Sequence, residues 1–184
     1  MPDLPFPLSG STLIVGPSNS GKTRLTAQAL DAWIGEHGAE GVVVLEFAPE
    51  VERDGVLLGG RLSQFTRVPD AAWHGVLEAH APRADSDSEM GAMQLAEENA
   101  TRAYELVDAA PADPTAVFVN DATIALQAEA DATGRLTSYC DRATVAVLNA
   151  FESDELGSDD PVSRNERAAL RRLRAWTERV VELG

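Results

Sequence analysis

The sequence predicts an α/β domain built around a mainly parallel sheet. Short apolar segments alternate along the chain with stretches whose apolar residues recur at helical spacing. Two of the apolar segments, 42–45 and 116–119, are rich in valine and contain no polar side chain. This pattern is typical of parallel strands that are buried on both faces. The chain has 184 residues, and we expect a single domain over residues 1–184.

The predicted elements follow one another in a regular order. We predict strands over residues 11–15, 41–47, 65–68, 116–119, 143–148 and 179–183, and helices over residues 23–34, 70–79, 86–109 and 163–176. A further helix is expected after Asp121, followed by a loop around Gly134. Ser86 and Ser163 each precede a glutamate by three residues, which is the capping-box spacing that opens a helix. The stretches 48–62 and 151–162 are predicted to be loops, the first of them a loop or a small flap.

One motif indicates a binding site for phosphate. Residues 16–23 read Gly-Pro-Ser-Asn-Ser-Gly-Lys-Thr and fit the pattern G-x-x-x-x-G-K-[ST] between a predicted strand and a predicted helix. Glycines let consecutive backbone N–H groups point at phosphate oxygens, and the start of a helix adds its positive dipole end. The alternative is a glycine- and serine-rich turn that matches by chance. We predict that the segment binds ATP through all its residues, which are Gly16, Pro17, Ser18, Asn19, Ser20, Gly21, Lys22 and Thr23.

The composition strengthens the interpretation of this motif. Fifteen residues are lysine or arginine, and Lys22 is the single lysine. Its ammonium group is slim and flexible, whereas a planar guanidinium would not fit between phosphates. We expect Lys22 to act catalytically by bridging the β- and γ-phosphates, and the Thr23 hydroxyl to join the coordination shell of Mg²⁺.

Two carboxylates follow predicted apolar strands. Asp121 comes after the strand at 116–119 and is predicted to hold Mg²⁺, whereas Glu46 ends the strand at 41–47 and is predicted to face the substrate as a general base or anchor. The carboxyl ends of parallel strands lie at the edge of the sheet where ligands bind. The alternatives are a polar residue that begins the next helix for Asp121 and a solvated strand end for Glu46.

Arginines near the end of the chain offer a third candidate group. Arg164 and Arg167 follow an acidic loop, at the position where P-loop kinases carry a lid that neutralises the transferring phosphate. We place Arg164 among the catalytic candidates. Surface ion pairs are the alternative for both residues, because arginines also continue along the same predicted helix.

The charge balance excludes some partners and suggests an environment. The chain has 30 acidic residues and a formal net charge of −15, which opposes binding to nucleic acid. The acidic excess with almost no lysine resembles the composition of proteins from salt-accumulating haloarchaea, and a genome rich in G and C is the alternative explanation. No apolar run is long enough to span a membrane, and the first residues lack a secretory pattern, so we expect a cytoplasmic protein.

The motif and the acid-ended strands identify the chain as similar to the P-loop NTPase superfamily. That resemblance implies a three-layer α/β fold. A narrower likeness is to the adenosylcobinamide kinase/guanylyltransferase family, which shares an early P-loop, a strand followed by Asp121-Ala-Thr123, and a late strand that ends in an asparagine, here Asn149. The chain departs from that family at Asn19, where an arginine is usual, and neither His74 nor His80 matches its guanylylated histidine.

Together these features predict an ATP-binding, Mg²⁺-dependent kinase of a small molecule, or an ATPase. The GTP-specificity pattern N-K-x-D is absent, which favours ATP over GTP. The alternative is a nucleotide-dependent switch or assembly factor that hydrolyses slowly and acts on a protein partner through the loops at 48–62 and 150–163.

Overall fold

Six parallel strands form the central sheet of the protein. The structure is a computed structural model that describes residues 3–53, 56–58, 60–154 and 157–184. The sheet has the order β5-β2-β6-β7-β1-β8, and its strands are β1 (Gly10–Gly16), β2 (Val42–Glu46), β5 (Trp73–Val76), β6 (Ala116–Asn120), β7 (Val145–Phe151) and β8 (Arg179–Glu182). All neighbouring strands pair in parallel. A separate antiparallel hairpin consists of β3 (Val51–Arg53) and β4 (Val56–Leu58).

Helices cover both faces of the sheet, so the protein has three layers. The helices are α1 (Lys22–His37), α2 (Pro82–Asp85), α3 (Glu89–Ala109), α4 (Thr133–Cys140) and α5 (Pro161–Trp176). Helix α1 packs on one face, whereas α3, α4 and α5 pack on the other. Among the described residues, no helix combines the length and apolar character required to cross a bilayer. The predicted three-layer α/β architecture with a parallel sheet is confirmed.

The strands alternate between two cores, because successive side chains point to opposite faces. In β1, Leu13 lies in the core beneath α3, α4 and α5, and Ile14 lies in the core beneath α1. In β6, Val119 lies in the core beneath α3, α4 and α5, and Phe118 lies in the core beneath α1. All five residues of β2 and of β6 are buried, which confirms the expectation drawn from their uniformly apolar sequences.

The predictions for residues 65–79 are wrong. No strand forms at 65–68, and the predicted helix at 70–79 is replaced by β5, which pairs with β2 at the edge of the sheet. Pairing with β2 satisfies the backbone groups that this strand would otherwise leave open. Gly75 permits the arrangement, because a Cβ atom there would lie 2.6 Å from the Trp73 ring.

The predicted starts of two helices are also shifted. The cap of α3 is Ser88, whose hydroxyl accepts a hydrogen bond from the Gly91 amide, and not Ser86. The cap of α5 is Asp160, with Pro161 in the first turn, and Ser163 lies inside the helix. Glu166, the predicted capping glutamate, is instead buried beneath the helix, where it binds other side chains.

Residues 121–140 also differ from the prediction. The helix expected after Asp121 is only a 3₁₀ turn, Ala122–Leu126. The loop expected around Gly134 is the first turn of α4. The structural consequence is that Asp121 is held between a strand and a tight turn, with a backbone φ of 57°.

Candidate functional site

The segment 16–23 connects the end of β1 to the start of α1 at the carboxyl edge of the sheet. Gly16 is packed closely, because a Cβ atom there would lie 2.5 Å from the Leu183 carbonyl oxygen and 2.7 Å from the Ser20 hydroxyl. Gly21 has a φ of 95° and precedes the first residue of the helix. A side chain at Gly16 would clash, and one at Gly21 would be strained. Both glycines of the motif are therefore required by the shape of the loop.

The loop brings the Lys22 ammonium group and the N-terminal N–H groups of α1 to the same space. The Lys22 ammonium donates to the Pro17 carbonyl at 2.5 Å and lies 3.5 Å from the Ser20 hydroxyl. No side chain caps the start of α1. The first N–H groups of a helix have no partner within the helix and attract anions. A lysine and a helix N-terminus at one loop form a site suited to a phosphate group.

A cleft of about 480 Å³ opens in front of this loop. The loop residues Ser18 to Thr23 line it together with Ala48, Gly60, Gln64 and Phe65. Phe151 and polar residues at the ends of β6 and β7 also line it; these polar residues are Asn120, Asp121 and Asn149. The structure thus brings all the predicted loop residues from Ser18 to Thr23 together with Asp121, as the carboxyl edge of a parallel sheet does.

Asp121 lines the cleft, and its carboxyl group lacks the hydrogen bonds that would stabilise its charged form in the part of the chain that is described. Its amide is held by the Asn149 side-chain oxygen at 2.7 Å, but no hydrogen bond from a described residue reaches the carboxylate. The pKa of Asp121 is raised from 3.8 to about 7, chiefly by burial and also by the neighbouring Glu166, whereas Lys22 acts in the opposite direction. A carboxylate in this setting is stabilised by a nearby cation.

Magnesium would find oxygen ligands in the same place. Thr23 and Asp121 both line the cleft, and Mg²⁺ takes few protein ligands because it keeps waters and substrate phosphates in its shell. Over the described part of the chain, no group of three or more histidine, cysteine, aspartate or glutamate side chains is placed to hold a metal. The donor set fits a metal carried with a phosphate substrate.

Buried amides connect the cleft to the interior of the sheet edge. The Asn120 side-chain oxygen accepts hydrogen bonds from Asn149 at 2.8 Å and from the Thr23 hydroxyl at 3.3 Å. The Asn149 side-chain nitrogen also donates to the Thr26 hydroxyl at 2.8 Å. On its other side, Asn120 donates to Glu46 at 2.6 Å. We call this chain of side chains the amide network; it fixes the position of Thr23 relative to the strands.

Glu46 is buried behind Asn120 and does not line the cleft. The residue is 1% exposed, and its two oxygens accept hydrogen bonds from the amides of Ala48 at 3.2 Å and Leu62 at 2.8 Å. Burial raises its pKa, although these hydrogen bonds and Arg61 act in the opposite direction. Glu46 thus holds both ends of the segment that carries the β3–β4 hairpin. Its predicted role as a general base stays a prediction.

The predicted lid arginines lie away from the cleft. Arg164 is exposed and donates to the Asp159 carbonyl at 2.5 Å, and Arg167 forms an ion pair with Asp154. Neither residue lines the cleft. For Arg167 the structure shows the surface ion pair that was the alternative interpretation.

Arg83 was missed by the sequence reasoning and lies closer to the site. Its guanidinium pairs with Glu166 at 2.9 Å, donates to the Ser163 hydroxyl at 2.9 Å and lies 5.7 Å from the centre of the Phe151 ring. The Glu166 carboxylate also accepts hydrogen bonds from Thr123 and Gln127. A glutamate on the inner face of an amphipathic helix was the available signal, because a buried acid requires a partner.

No protein-family model matches the chain, and no curated protein matches it. The functional interpretation rests on the geometry of the cleft.

Proposed function

We propose that the protein binds ATP with Mg²⁺ in this cleft and transfers the γ-phosphoryl group to a small molecule or to water. The observation that carries the proposal is the meeting, in one cleft, of the chain's single lysine, a helix N-terminus without a side-chain cap, and the Asp121 carboxyl group, which accepts no hydrogen bond from a described residue. A positive loop facing a half-buried acid is suited to a polyanion that brings its own cation. The same chemistry favours a nucleoside triphosphate over a simple anion.

Each residue has a defined task in this proposal. The backbone amides of residues 18–23 and the Lys22 ammonium would hold the phosphates, while Thr23 and Asp121 would hold the metal, which would supply charge neutralisation. In the transfer, the bond from the γ-phosphorus to the β–γ bridging oxygen breaks and a bond to the acceptor oxygen forms. ADP leaves with the bridging oxygen, and the acceptor proton passes to a base. Glu46, the residue predicted for that role, would have to gain access to the cleft, which it does not line.

The test is nucleotide binding to the full chain, measured by calorimetry in high KCl. Lys22→Ala should abolish tight binding of Mg·ATP, and Lys22→Arg should also weaken it because the planar fork cannot occupy the position of the ammonium. Arg142→Ala is the matched control, because it removes an exposed positive charge just before β7, at the opposite edge of the sheet. Equal affinity in wild type and Lys22→Ala would contradict the proposal.

A second candidate function is supported by the contacts of the segment 47–62. The Gly60 carbonyl lies 3.4 Å from the Thr23 hydroxyl and accepts a hydrogen bond from Asn120 at 3.0 Å. A metal bound through the Thr23 oxygen would restrict the direction of its single hydroxyl hydrogen, and so change which acceptor that hydrogen reaches, the Gly60 carbonyl or the Asn120 side-chain oxygen. A nucleotide-dependent switch that moves this segment and signals to a protein partner is therefore the alternative to an enzyme.

Hydrogen exchange and turnover separate the two functions. A switch should change the exchange rates of residues 47–62 on addition of Mg·ATP, while ADP formation stays slow with every acceptor offered. A kinase should release ADP faster when its acceptor is present. An ATPase should release ADP at a rate that no acceptor changes.

The environment and partners are part of the same proposal. The charge of −15 favours a small-molecule or protein partner over nucleic acid, and it fits a protein that works in the cytoplasm of a salt-accumulating cell.

A further inference from the structure

A second cavity of about 460 Å³ adjoins the cleft at Phe151. Four arginines line it, Arg83, Arg167, Arg171 and Arg174, and we call it the arginine cavity. Phe151 lines both the arginine cavity and the cleft. The two spaces are therefore neighbours that share one aromatic wall.

The arginine cavity is a basic site on an acidic protein. Three acids line it among the described residues, and each is paired with an arginine: Glu166 with Arg83 at 2.9 Å, Asp154 with Arg167, and Glu152 with Arg174 at 2.6 Å. The fourth arginine, Arg171, has no ion pair with any described residue and is exposed. Its charge is free to meet a ligand.

The cavity also has a buried basic group and an apolar surface. The Arg83 side chain is 13% exposed and is fixed by Glu166 and Ser163, so its position is set before any ligand arrives. Leu170 and Phe151 add apolar surface beside the charges. A buried, fixed guanidinium and an exposed one that line the same cavity with apolar side chains are suited to an oxyanion attached to an apolar body.

We propose that the arginine cavity binds the anionic end of the phosphoryl acceptor, a small molecule that carries a carboxylate or a phosphate on an apolar frame. The acceptor hydroxyl would extend past Phe151 toward the γ-phosphate in the cleft. That the ligand is the phosphoryl acceptor rests on the proposed function. That the arginine cavity binds an anion does not.

The experiment measures binding of phenyl phosphate and of benzoate to the full chain by calorimetry, with the cleft blocked by Mg²⁺ and a non-hydrolysable ATP analogue. KCl is kept at the lowest concentration at which the protein stays folded, because salt screens the contact. The two probes distinguish a phosphate from a carboxylate site.

The key variant is Arg171→Gln, which breaks no ion pair with a described residue. Its matched control is Arg172→Gln, because Arg172 is exposed on the same helix, pairs with Asp131 and does not line the cavity.

We expect at least one probe to bind to wild type and to Arg172→Gln, and to bind about tenfold or more weakly to Arg171→Gln, since a charge-assisted contact is lost. Failure of both probes to bind to a protein that still binds the ATP analogue would overturn the anion site. An equal loss in both variants would overturn it as well, because it would show a diffuse charge effect.

A separate arm distinguishes failure of the proposed function. To measure the anion site independently of nucleotide binding, the Lys22→Ala variant is titrated with the same probe in the absence of the ATP analogue. If wild type does not bind ATP but the probe still depends on Arg171, the anion site stands and its description as an acceptor site is overturned. If ATP depends on Lys22 and no probe depends on Arg171, only the arginine cavity proposal fails.

Discussion

Replacing Asp121 by asparagine should stabilise the protein without ligand and weaken its binding of Mg·ATP. Asparagine has the shape of the protonated carboxyl group and carries no charge. In the ligand-free protein the Asp121 carboxylate is buried near Glu166, and the pKa is raised from 3.8 to about 7 for these reasons, burial being the larger. The negative charge of Asp121 destabilises the protein when no cation is bound, and the same charge would bind the cation.

The sign and size of the stability change follow from the pKa. Because the folded state holds the proton more tightly than the unfolded state, the contribution of Asp121 to stability is fully present below about pH 4 and is lost as the pH rises through about 7. A shift of about 3 units corresponds to roughly 4 kcal/mol at most, and water in the cleft reduces this to about 2–4 kcal/mol. Asp121→Asn should therefore gain about 1 kcal/mol at pH 5, where the unfolded carboxyl is already ionised, and about 2–4 kcal/mol at pH 8.5.

The assay is urea unfolding between pH 5 and 8.5 with EDTA present, together with calorimetry of Mg·ATP binding. The matched control is Asp113→Asn, because Asp113 is exposed before β6, at the edge opposite the cleft, and should change neither quantity. A loss of stability in Asp121→Asn at pH 8.5 would refute the burial argument. Unchanged affinity for Mg·ATP, under conditions where EDTA weakens nucleotide binding by wild type, would refute the metal assignment.

Two further changes test the loop anchor and the acidic surface. Glu46→Gln should cost about 1–3 kcal/mol, because an amide nitrogen would face a backbone N–H of Ala48 or Leu62, and hydrogen exchange should speed up over residues 47–62. If Glu46 is also the general base, phosphoryl transfer should fall about 10²–10⁴-fold in addition to these changes. The melting temperature should rise between 0.1 and 2 M KCl, because salt shortens the Debye length from about 10 Å at 0.1 M to about 3 Å at 1 M; a flat or falling curve contradicts the halophilic interpretation.

The central strands could be predicted from sequence because their burial is complete. Side chains of β2 and β6 contact core on both faces, so no polar residue interrupts either run before its carboxyl end. The edge strand β5 carries His74 exposed and Gly75 buried, a mixed pattern that takes its meaning only from pairing with β2. Helix α4 has eight residues and includes Gly134, so its local helical signal is weak.

The loop could also be predicted from sequence, since its residues are contiguous and their conformations depend on local glycines. The amide network could not, because it depends on which strands are neighbours: Asn120 and Asn149 meet only because β6 and β7 are adjacent. Arg83 reaches Glu166 across a long separation in the chain. No spacing rule connects such residues, and only the packing of α2 and α5 against α3 brings them together.

The amide network provides one physical device for either proposed function. The single Thr23 hydroxyl hydrogen has two acceptors, the Asn120 side-chain oxygen and the Gly60 carbonyl, so a cation that binds the Thr23 oxygen would restrict which of them it reaches. Asn120 in turn donates to Glu46, which holds the two ends of the hairpin segment. We therefore expect occupation of the cleft and the position of the hairpin to be coupled through Thr23, Asn120 and Glu46. A kinase would use this coupling to close over its acceptor, a switch would use it to change a binding surface, and acceptor-stimulated release of ADP distinguishes the two.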